Sequence, residues 1–478
     1  MEAVTLKSLS FAYPESEYKA LDGVTLSLER GSFNLVMGAS AAGKSTLLSL
    51  LKREIAPFGE MSGELSVNGS VGFLSQNAEE SIVCSSVRAE LAFGVENLGK
   101  SNKEIELLIA ETAAYFNLES KLNSDTASLS GGEKQLVCLA AVMMMKPDVL
   151  VLDEPCAMLD PVAAERFVNL IKKLHADFNI TVLMSEHSSD LLYSYTDSVI
   201  LLDNGKMLLC ASPGEMLSFL ESTENSMLSA VPTSFRFRDK SIIVKSREES
   251  VEKGEAALTA KRLWYAYSKK CDVLKDCSLE VYKGKINAVI GCNGCGKTTL
   301  LKLLAGVYKP YRGKVKADGR ISMLTQSVKD LFTKEKCADE VAFGEITDYL
   351  EIGDISERHP YDLSGGQAQR LALAKALERS ADIIILDEPT RGLDAVLKKK
   401  LGELLVRLVN EGKTVLMVSH DLDFVGEWAD FVSFMSDGAV TVTDAKRSFF
   451  SSLGFYTTSL SRLTGGKAVC SEDIAYEQ

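Results

Sequence analysis

The sequence predicts an α/β fold built twice, as two domains that each contain a mainly parallel sheet covered by helices on both faces. Three observations predict it. Short apolar runs alternate with helical patterns along the chain, as expected for parallel strands joined by crossover helices. The same motifs occur twice in the same order. The length of 478 residues exceeds what a single hydrophobic core usually serves.

A glycine-rich loop in the second half is the most informative motif. It reads GCNGCGKTT and lies between an apolar run at 285–290 and a helical pattern at 298–306. This spacing is that of a phosphate-binding loop, in which backbone N–H groups and the following helix N-terminus hold phosphate. Lys297 is placed to reach the β- and γ-phosphates, and the Thr298 hydroxyl is placed to bind Mg²⁺.

The first half repeats this loop as GASAAGKST, after the apolar run 33–37. Two such loops, each between a strand and a helix, predict two nucleotide-binding sites. The predicted phosphate-binding residues are Gly38, Ala39, Ser40, Ala41, Ala42, Gly43, Lys44, Ser45 and Thr46 in the first loop and Gly291, Cys292, Asn293, Gly294, Cys295, Gly296, Lys297, Thr298 and Thr299 in the second.

Composition argues against several classes of protein. The net charge of −13 disfavours nucleic acid as a main partner. No apolar run approaches about 18 residues and the N-terminus lacks signal-peptide features, so we expect a cytosolic chain without its own membrane span. The ten cysteines are expected to be reduced. Cys292 and Cys295 are spaced C-x-x-C, but we interpret them as fillers because a metal or disulfide there would block phosphate.

Each half follows the same order of elements. A β-type run with an aromatic residue precedes the phosphate site, and a strand-like segment ending in glutamine, a helix-rich middle and LSGG follow it. The offset between the repeats is 253 residues at the loops and 234 at LSGG, so the second half is shorter in its middle. The predicted segments are a first domain at 1–222, a linker at 223–256 in which 235–246 can form a strand, a second domain at 257–466 and a loose tail at 467–478.

LSGG occurs at 129–132 and 363–366, and Asp-Glu-Pro at 153–155 and 387–389, each time followed by a histidine, at 187 and 420. Together with the phosphate loop, these motifs resemble those of an ATP-binding-cassette (ABC) ATPase. The resemblance covers nearly the whole chain twice, and the combination is highly specific, whereas LSGG alone is weak. It implies an ATPase that binds two ATP molecules per chain, with Mg²⁺.

Two apolar runs, at 149–152 and 383–386, are typical of buried strands that deliver Asp-Glu at their carboxyl ends, where ligands bind in open α/β sheets. Asp153 and Asp387 are predicted to hold Mg²⁺, usually through water. Glu154 and Glu388 are predicted to polarise the attacking water as general bases. The alternative is a solvated strand end, which the nearby phosphate loop disfavours.

Three further pairs take their roles from the resemblance. They are switch histidines that contact the γ-phosphate, glutamines that approach the metal and attacking water, and tyrosines that stack on adenine. A structural histidine and a core tyrosine remain the alternatives. In that order the pairs are His187 and His420, Gln76 and Gln326, and Tyr13 and Tyr267. The predicted metal ligands are then Ser45, Gln76 and Asp153 in the first half and Thr298, Gln326 and Asp387 in the second.

The LSGG signatures are expected to act across the two halves. In the ABC family, two cassettes face head to tail, with ATP between the phosphate loop of one and the signature of the other. A single chain can form this pair internally, because its linker raises the effective concentration. ATP would then join the domains and hydrolysis would separate them. Ser130, Gly131 and Gly132 should close on nucleotide held by Lys297, and Ser364, Gly365 and Gly366 on nucleotide held by Lys44.

The first half departs more from the pattern. Ala41 stands where many relatives have glycine, which matters only if that position needs a positive φ. The first signature ends in Leu136 where the second has Arg370, and Cys156 replaces the Thr390 of the second half. None of these removes a catalytic group. We predict two competent sites, with the slower one closed by the first signature.

Two segments resemble a T/S-V-x-E-x-V-A-F-G pattern of energy-coupling-factor transporter ATPases: SVRAELAFGVENLG at 86–99 and ADEVAFG at 338–344. In that family the region docks coupling helices of a membrane subunit. An ordinary amphipathic helix is the alternative. The resemblance implies the fused ATPase of an importer for a vitamin, a vitamin precursor or a metal ion. It would act at the cytoplasmic face of the cell membrane with a transmembrane coupling subunit and a substrate-binding membrane subunit.

Two other functions stay open. One is the fused ATPase of another importer, such as the sugar type, although those often carry a degenerate second loop and this one is intact. The other is a soluble translation factor with tandem cassettes that binds the ribosome. Such factors usually carry a long, basic, helical linker, whereas this linker is short and mixed in charge and the whole chain is acidic.

Overall fold

The computed structural model describes residues 1–16, 18–157, 159–186, 192–238, 242–245, 252–268, 271–378 and 381–476. The chain divides into two compact units, Met1–Phe235 and Arg236–Gln478. This division falls inside the segment for which a linker is predicted. Among the described residues, no helix is both long enough and apolar enough to cross a membrane.

The first unit contains a three-stranded antiparallel sheet, β2-β1-β4, and a six-stranded sheet, β5-β6-β7-β3-β8-β9. In the larger sheet only the edge pair β8-β9 is antiparallel. The strands are β1 (Glu2–Ala12), β2 (Leu21–Glu29), β3 (Phe33–Gly38), β4 (Glu60–Val67), β5 (Val71–Leu74), β6 (Val149–Asp153), β7 (Thr181–Ser185), β8 (Ser198–Asp203) and β9 (Lys206–Ala211). The helices are α1 (Lys44–Leu50), α2 (Ala78–Ser81), α3 (Val87–Asn97), α4 (Asn102–Phe116), α5 (Gly131–Met144), α6 (Pro161–Phe178), α7 (Pro213–Ser222) and α8 (Thr233–Arg236), the last of which ends at the division.

The second unit repeats both sheets, as β12-β11-β14 and β15-β16-β17-β13-β18-β19, and adds the pair β10-β20. Its strands are β10 (Ile242–Val244), β11 (Ala256–Tyr265), β12 (Leu274–Tyr282), β13 (Ile286–Ile290), β14 (Arg312–Ala317), β15 (Ile321–Leu324), β16 (Ile383–Asp387), β17 (Thr414–Val418), β18 (Phe431–Ser436), β19 (Ala439–Ala445) and β20 (Ile474–Tyr476). Its helices are α9 (Lys297–Leu304), α10 (Cys337–Glu340), α11 (Glu345–Tyr349), α12 (Gly365–Glu378), α13 (Ala395–Asn410), α14 (Leu422–Trp428), α15 (Lys446–Ser451) and α16 (Ser459–Thr464).

The central strands are covered on both faces, which confirms the predicted α/β fold. Successive side chains of a strand point to opposite faces of its sheet. On β6, Val149 and Val151 pack in the cluster that contains β1, β2 and α1, whereas Leu150 and Leu152 pack in the cluster that contains α5 and α6. All four are fully buried. A strand buried on both faces needs an unbroken apolar run, which is why VLVL and IIIL stand out in the sequence.

The separate antiparallel sheet in each unit goes beyond the predicted mainly parallel sheet. Strand β2 alternates buried and exposed residues, which is typical of a sheet with one face on the core and one in solvent. The sequence indicates the β-type run that contains part of β1, but not that β1 would lie between β2 and β4.

The described part of the segment predicted as a loose tail, residues 467–476, contains a strand and buried side chains. β20 pairs antiparallel with β10, so the end of the chain and the linker strand form one small sheet. Ala468, Val469 and Cys470 are buried. Asp473 explains the order, because its carboxylate accepts hydrogen bonds from Arg447 and from backbone N–H groups at 2.8–3.2 Å.

The junction between the units is short. Phe235 packs against the cluster formed by β8, α7 and their neighbours in the first unit. Two residues later, Phe237 is buried in a cluster with Leu460 and Ile474 of the second unit. Parts of the predicted linker at 223–256, among them Met227, Val231 and Phe237, therefore pack on one unit or the other.

Candidate functional site

In both units the lysine of the phosphate loop bonds back to the loop. The Lys44 ammonium donates hydrogen bonds to the carbonyl oxygens of Gly38 and Ala39, at 2.8 and 3.0 Å. Lys297 does the same with the equivalent carbonyl groups, both at 2.9 Å. Both lysines are buried. These contacts hold each ammonium in the loop, where phosphate oxygens can take the place of the carbonyl groups.

The first glycine of each loop is needed because the neighbouring strand passes very close. A Cβ on Gly38 would lie 2.4 Å from the carbonyl oxygen of Leu202 on β8. A Cβ on Gly291 would lie 2.2 Å from the carbonyl oxygen of Met435 on β18. No side chain fits at such distances, so these two glycines follow from the sheet order.

Ala41 occupies a left-handed backbone conformation, with φ of 62°. Its counterpart in the second loop is Gly294, with φ of 76°. This position therefore does have a positive φ, so the presence of alanine in place of glycine at position 41 matters. A left-handed conformation costs a residue with a Cβ roughly 1–2 kcal/mol, so the first loop is held under backbone strain.

Ala41→Gly should raise the free energy of unfolding by up to ~1 kcal/mol, because relief of strain outweighs the greater freedom glycine gives the unfolded chain. Gly294→Ala should lower it by about 1 kcal/mol. No heavy atom lies within 4 Å of a Cβ placed there, so backbone strain alone is tested. Urea unfolding of the full-length chain measures both changes. Equal stability for Gly294→Ala and the wild type would contradict the strain argument.

The two predicted carboxylate pairs lie at the carboxyl ends of β6 and β16, and in each sheet one strand separates them from the strand that precedes the phosphate loop. Asp153 and Asp387 are the last residues of β6 and β16. Glu154 and Glu388 follow with φ of 45° and 52°, a left-handed conformation that in non-glycine residues is concentrated at functional sites. The backbone N–H of each glutamate bonds to the end of the next parallel strand, at 3.1 and 2.9 Å. Hydrogen bonding within the sheet therefore fixes the backbone position of each glutamate.

The donor set fits a magnesium ion, which prefers hard oxygen ligands. Burial raises the pKa of Asp153, and the hydroxyl of Ser45 opposes this rise. Burial likewise raises the pKa of Asp387, opposed by the hydroxyl of Thr298. Yet neither carboxylate oxygen of Asp387 makes a well-formed hydrogen bond to any described residue. Such orphaned buried oxygens beside a hydroxyl are the expected surroundings of Mg²⁺, which when bound would neutralise phosphate charge.

The glutamates are held by different partners. The Gln76 amide donates a 2.9 Å hydrogen bond to Glu154, which places this predicted pair together. In the second unit the backbone N–H of His420 donates to Glu388 at 3.1 Å, and its Nε2 lies 3.3 Å from the other carboxylate oxygen. Burial raises the pKa of Glu388 to about 8. His187 lies outside the described residues.

The remaining predicted nucleotide contacts surround the loops. The hydroxyl of Tyr13 bonds to Thr46 at 3.0 Å, and that of Tyr267 to Thr299 at 2.9 Å. The two tyrosine residues are 42% and 58% exposed, which excludes a core tyrosine and is compatible with the predicted stacking on adenine. Gln326 is exposed just after β15.

The signatures begin long helices. Ser130 precedes α5, where its hydroxyl and the Glu133 carboxylate cap each other's backbone N–H groups. Ser364 precedes α12 and accepts from the backbone N–H of Gln367 at 3.3 Å. The first glycine of each signature, Gly131 or Gly365, is exposed. An exposed helix N-terminus that begins in glycine suits an anion, which agrees with the predicted role.

Sequence reasoning missed a third carboxyl at the first site. Glu186 is buried and accepts a 2.9 Å hydrogen bond from the backbone N–H of Cys156. Burial, with a smaller contribution from the charge of Glu154, raises its pKa to about 8. The second unit has Ser419 there, in contact with Thr390 at 3.3 Å. A comparison of the two repeats could have found it, since the first half reads LMSEH where the second half reads LMVSH.

Each unit therefore assembles the parts needed to hydrolyse a nucleoside triphosphate. A lysine and a helix N-terminus face the phosphates, a hydroxyl and a carboxylate suit a magnesium ion, and a buried glutamate can orient a water. Positioning and charge stabilisation dominate phosphoryl transfer, so a rigid sheet edge is a suitable platform.

Comparisons with known proteins agree with these parts. The ABC transporter family model matches residues 21–157 and 274–391. A Bacillus cereus protein, provisionally named as an ABC transporter ATP-binding protein, is 35% identical over 96% of this chain and 94% of its own length. A similarly named protein of Methanosarcina acetivorans is 29% identical over 94% of this chain and 87% of its own.

Two solved structures share the fold at 23% identity. The RNase-L inhibitor matches with a TM-score of 0.67 over 92% of this chain and 91% of that one. The archaeal ribosome recycling factor aABCE1, solved with ribosomal stalk protein aP1, matches with a TM-score of 0.66 over 93% and 91%.

Proposed function

Because the chain belongs to the ABC transporter family and is an ATPase with two cassettes, we propose that it is the ATPase subunit of an energy-coupling-factor-type membrane importer. Its cargo would be a vitamin, a vitamin precursor or a metal ion. It would lie at the cytoplasmic face of the membrane, bound to a transmembrane coupling subunit and a substrate-binding subunit. Relatives named as transporter ATP-binding proteins support this over nearly their whole length.

The observation that carries the proposal is how the T/S-V-x-E-x-V-A-F-G segments connect to the nucleotide sites. Glu90, which precedes the A-F-G of the first segment by two residues, accepts hydrogen bonds from the backbone N–H groups of Val83 and Cys84, at 3.0 and 2.7 Å. These residues lie between Gln76 and α3. A buried carboxylate on α3 therefore holds this helix to the segment that follows Gln76, the glutamine predicted to approach the metal and the attacking water.

The second unit builds the same connection. Glu340 accepts from the backbone N–H groups of Thr333 and Lys334 and pairs with the ammonium of Lys375. Both motif glutamates are nearly buried. The recurrence in two otherwise different segments favours a transmitting role over an ordinary amphipathic helix.

The first unit has a groove suited to a membrane partner's helix. It runs between α3 and α4 and combines apolar with charged side chains, as expected of a site that takes an amphipathic helix. Its lining includes Arg88, Ala89, Ala92, Glu96, Ile105 and Ile109. The second unit has only the short α10 and α11 in the matching region, so its docking face differs. Two unequal faces suit an asymmetric membrane subunit.

Tagged full-length chain recovered from membranes in mild detergent should bring down a polytopic membrane protein in near-stoichiometric amount. Its companion subunit would identify the cargo class. Recovery of ribosomes without a membrane protein would contradict the importer proposal and favour the translation-factor alternative, whose structural likeness at 23% identity shows only the fold.

Ala89→Tyr should reduce recovery of the membrane protein by about tenfold or more, because the ring fills the groove and repacking costs roughly 1–3 kcal/mol. Ala89 is exposed within the groove. Leu107→Tyr is the matched control, since Leu107 is 69% exposed on α4 but does not line the groove. Quantitative mass spectrometry of the recovered complex measures both. Equal losses in the two variants would rule out the groove as the docking site.

A further inference from the structure

Two cysteines in the second phosphate loop have no role in the chemistry above. Cys292 and Cys295 are the second and fifth residues of that loop, and the backbone N–H of Cys295 bonds to the carbonyl of Cys292 at 3.5 Å. This turn brings the two thiols within hydrogen-bonding reach of each other. Cys295 is buried, whereas Cys292 is partly exposed and packs against the same apolar cluster as Cys295.

The surroundings favour a sulfur–sulfur bond over a metal. Cys277 on β12 lies close enough to Cys295 for their charges to interact. Even so, no group of three or more potential metal ligands occurs among the described residues. Burial raises the pKa of the Cys295 thiol, and the charge of Lys297 opposes this rise, so Cys295 is suited to the second, resolving step and the more exposed Cys292 to the first.

We propose that Cys292 and Cys295 form a reversible disulfide that closes the second nucleotide site under oxidising conditions, while the first site stays open. The inference concerns regulation of the nucleotide site and does not depend on the importer proposal. It revises the interpretation of the two cysteines as fillers. When reduced they only pack in the loop, and when oxidised they hold it in a conformation that does not bind phosphate.

The chemistry is balanced with a peroxide as oxidant. The Cys292 thiolate, the more accessible, attacks one peroxide oxygen, which breaks the O–O bond and gives a sulfenic acid; protonation of the leaving hydroxide gives water. The Cys295 sulfur then attacks the sulfenic sulfur, and a second water leaves as the S–S bond forms. A dithiol reverses the bond by thiol–disulfide exchange, becoming oxidised itself.

The bond would close the site by deforming the loop. A disulfide draws the sulfurs to ~2.05 Å, and Cys295 already packs tightly, with its sulfur 3.2 Å from the position of a Cβ on Gly291. The carbonyl group of Cys292 also holds the Lys297 ammonium. Pulling this residue inward displaces both the backbone N–H groups and the lysine that meet phosphate. By linkage, bound ATP must oppose the oxidation.

The first loop provides the matched comparison. Ala39 and Ala42 occupy the positions of Cys292 and Cys295, so the first loop carries no thiol at either. A backbone of the same kind thus accepts alanine at both places. The double variant Cys292→Ala/Cys295→Ala gives the second loop the side chains of the first at these positions.

Full-length chain treated with hydrogen peroxide, with and without ATP, should give a Cys292–Cys295 disulfide by peptide mass mapping, and ATP should suppress it. Equilibrium binding of radiolabelled ATP should fall from about two to about one per chain after oxidation and return with dithiothreitol. In the double variant the oxidised-to-reduced binding ratio should be close to one, with its own reduced form as the reference.

Exposed Cys271 reports that oxidant was active. If Cys271 is oxidised while both loop thiols stay free, the proposal is wrong. It is also wrong if the disulfide forms but both ATP molecules still bind, or if Cys295 pairs with Cys277 instead. Mapping the wild-type chain requires no variant to fold, and neither readout involves a membrane partner.

Discussion

Replacing both Glu154 and Glu388 by glutamine should lower steady-state ATP hydrolysis by roughly 10²–10⁴-fold, the usual contribution of a positioned general base. The amide keeps the shape of the side chain but cannot accept the proton of the attacking water. Both residues start from a left-handed backbone that the neighbouring strand fixes. Phosphate release at saturating Mg-ATP measures the loss.

ATP binding by the same double variant is the control, because the carboxylates are predicted to act on water and not on the nucleotide. Hydrolysis near the wild-type rate with normal binding would show that another group supplies the base. At the first site the next candidate for the general base would be Glu186, whose carboxyl group is also buried. Single variants then separate the sites, whose glutamates contact Gln76 in one unit and His420 in the other.

Replacing either loop lysine by methionine should weaken ATP binding at its own site by about 10- to 150-fold. A hydrogen bond to a charged group contributes roughly 1.5–3 kcal/mol, and each 1.4 kcal/mol is tenfold in affinity. Lys44→Met should affect the first site and Lys297→Met the second. Isothermal titration with Mg-ATP should then show one tight and one weak site in each single variant.

Lys309→Met is the matched control for charge, since Lys309 is exposed just beyond α9. It should leave both sites tight. The assignment of the lysines fails if Lys44→Met and Lys297→Met bind two ATP molecules as tightly as the control does. It also fails if either single variant loses both sites while the chain stays folded, since each ammonium bonds to the carbonyl groups of its own loop.

Some features of the fold and of the site could be predicted from the sequence, and others could not. The apolar runs 149–152 and 383–386 predict central strands, because a strand that is buried on both faces of its sheet has no position for a polar residue. The glycine-rich loops predict phosphate sites because their glycine spacing is visible in the sequence. Gly38 and Gly291 have to be glycine since each lies against the backbone of the next strand. These features are local in sequence, so pattern and spacing reveal them.

Features that depend on distant pairings could not be predicted. Asp153 accepts a 2.7 Å hydrogen bond from Ser185, whereas the matching residue of the second unit is Val418, which leaves Asp387 without that partner. The difference exists only because β6 lies beside β7, and β16 beside β17. Likewise, the strain at Ala41 depends on a dihedral angle that composition does not reveal.

The short junction at 235–237 belongs to the two folded units and is not a free flexible tether. One phenylalanine is packed in the first unit and another, two residues on, in the second. Replacing either side chain by alanine would therefore remove core contacts from the unit in which it packs, and each unit would lose stability separately.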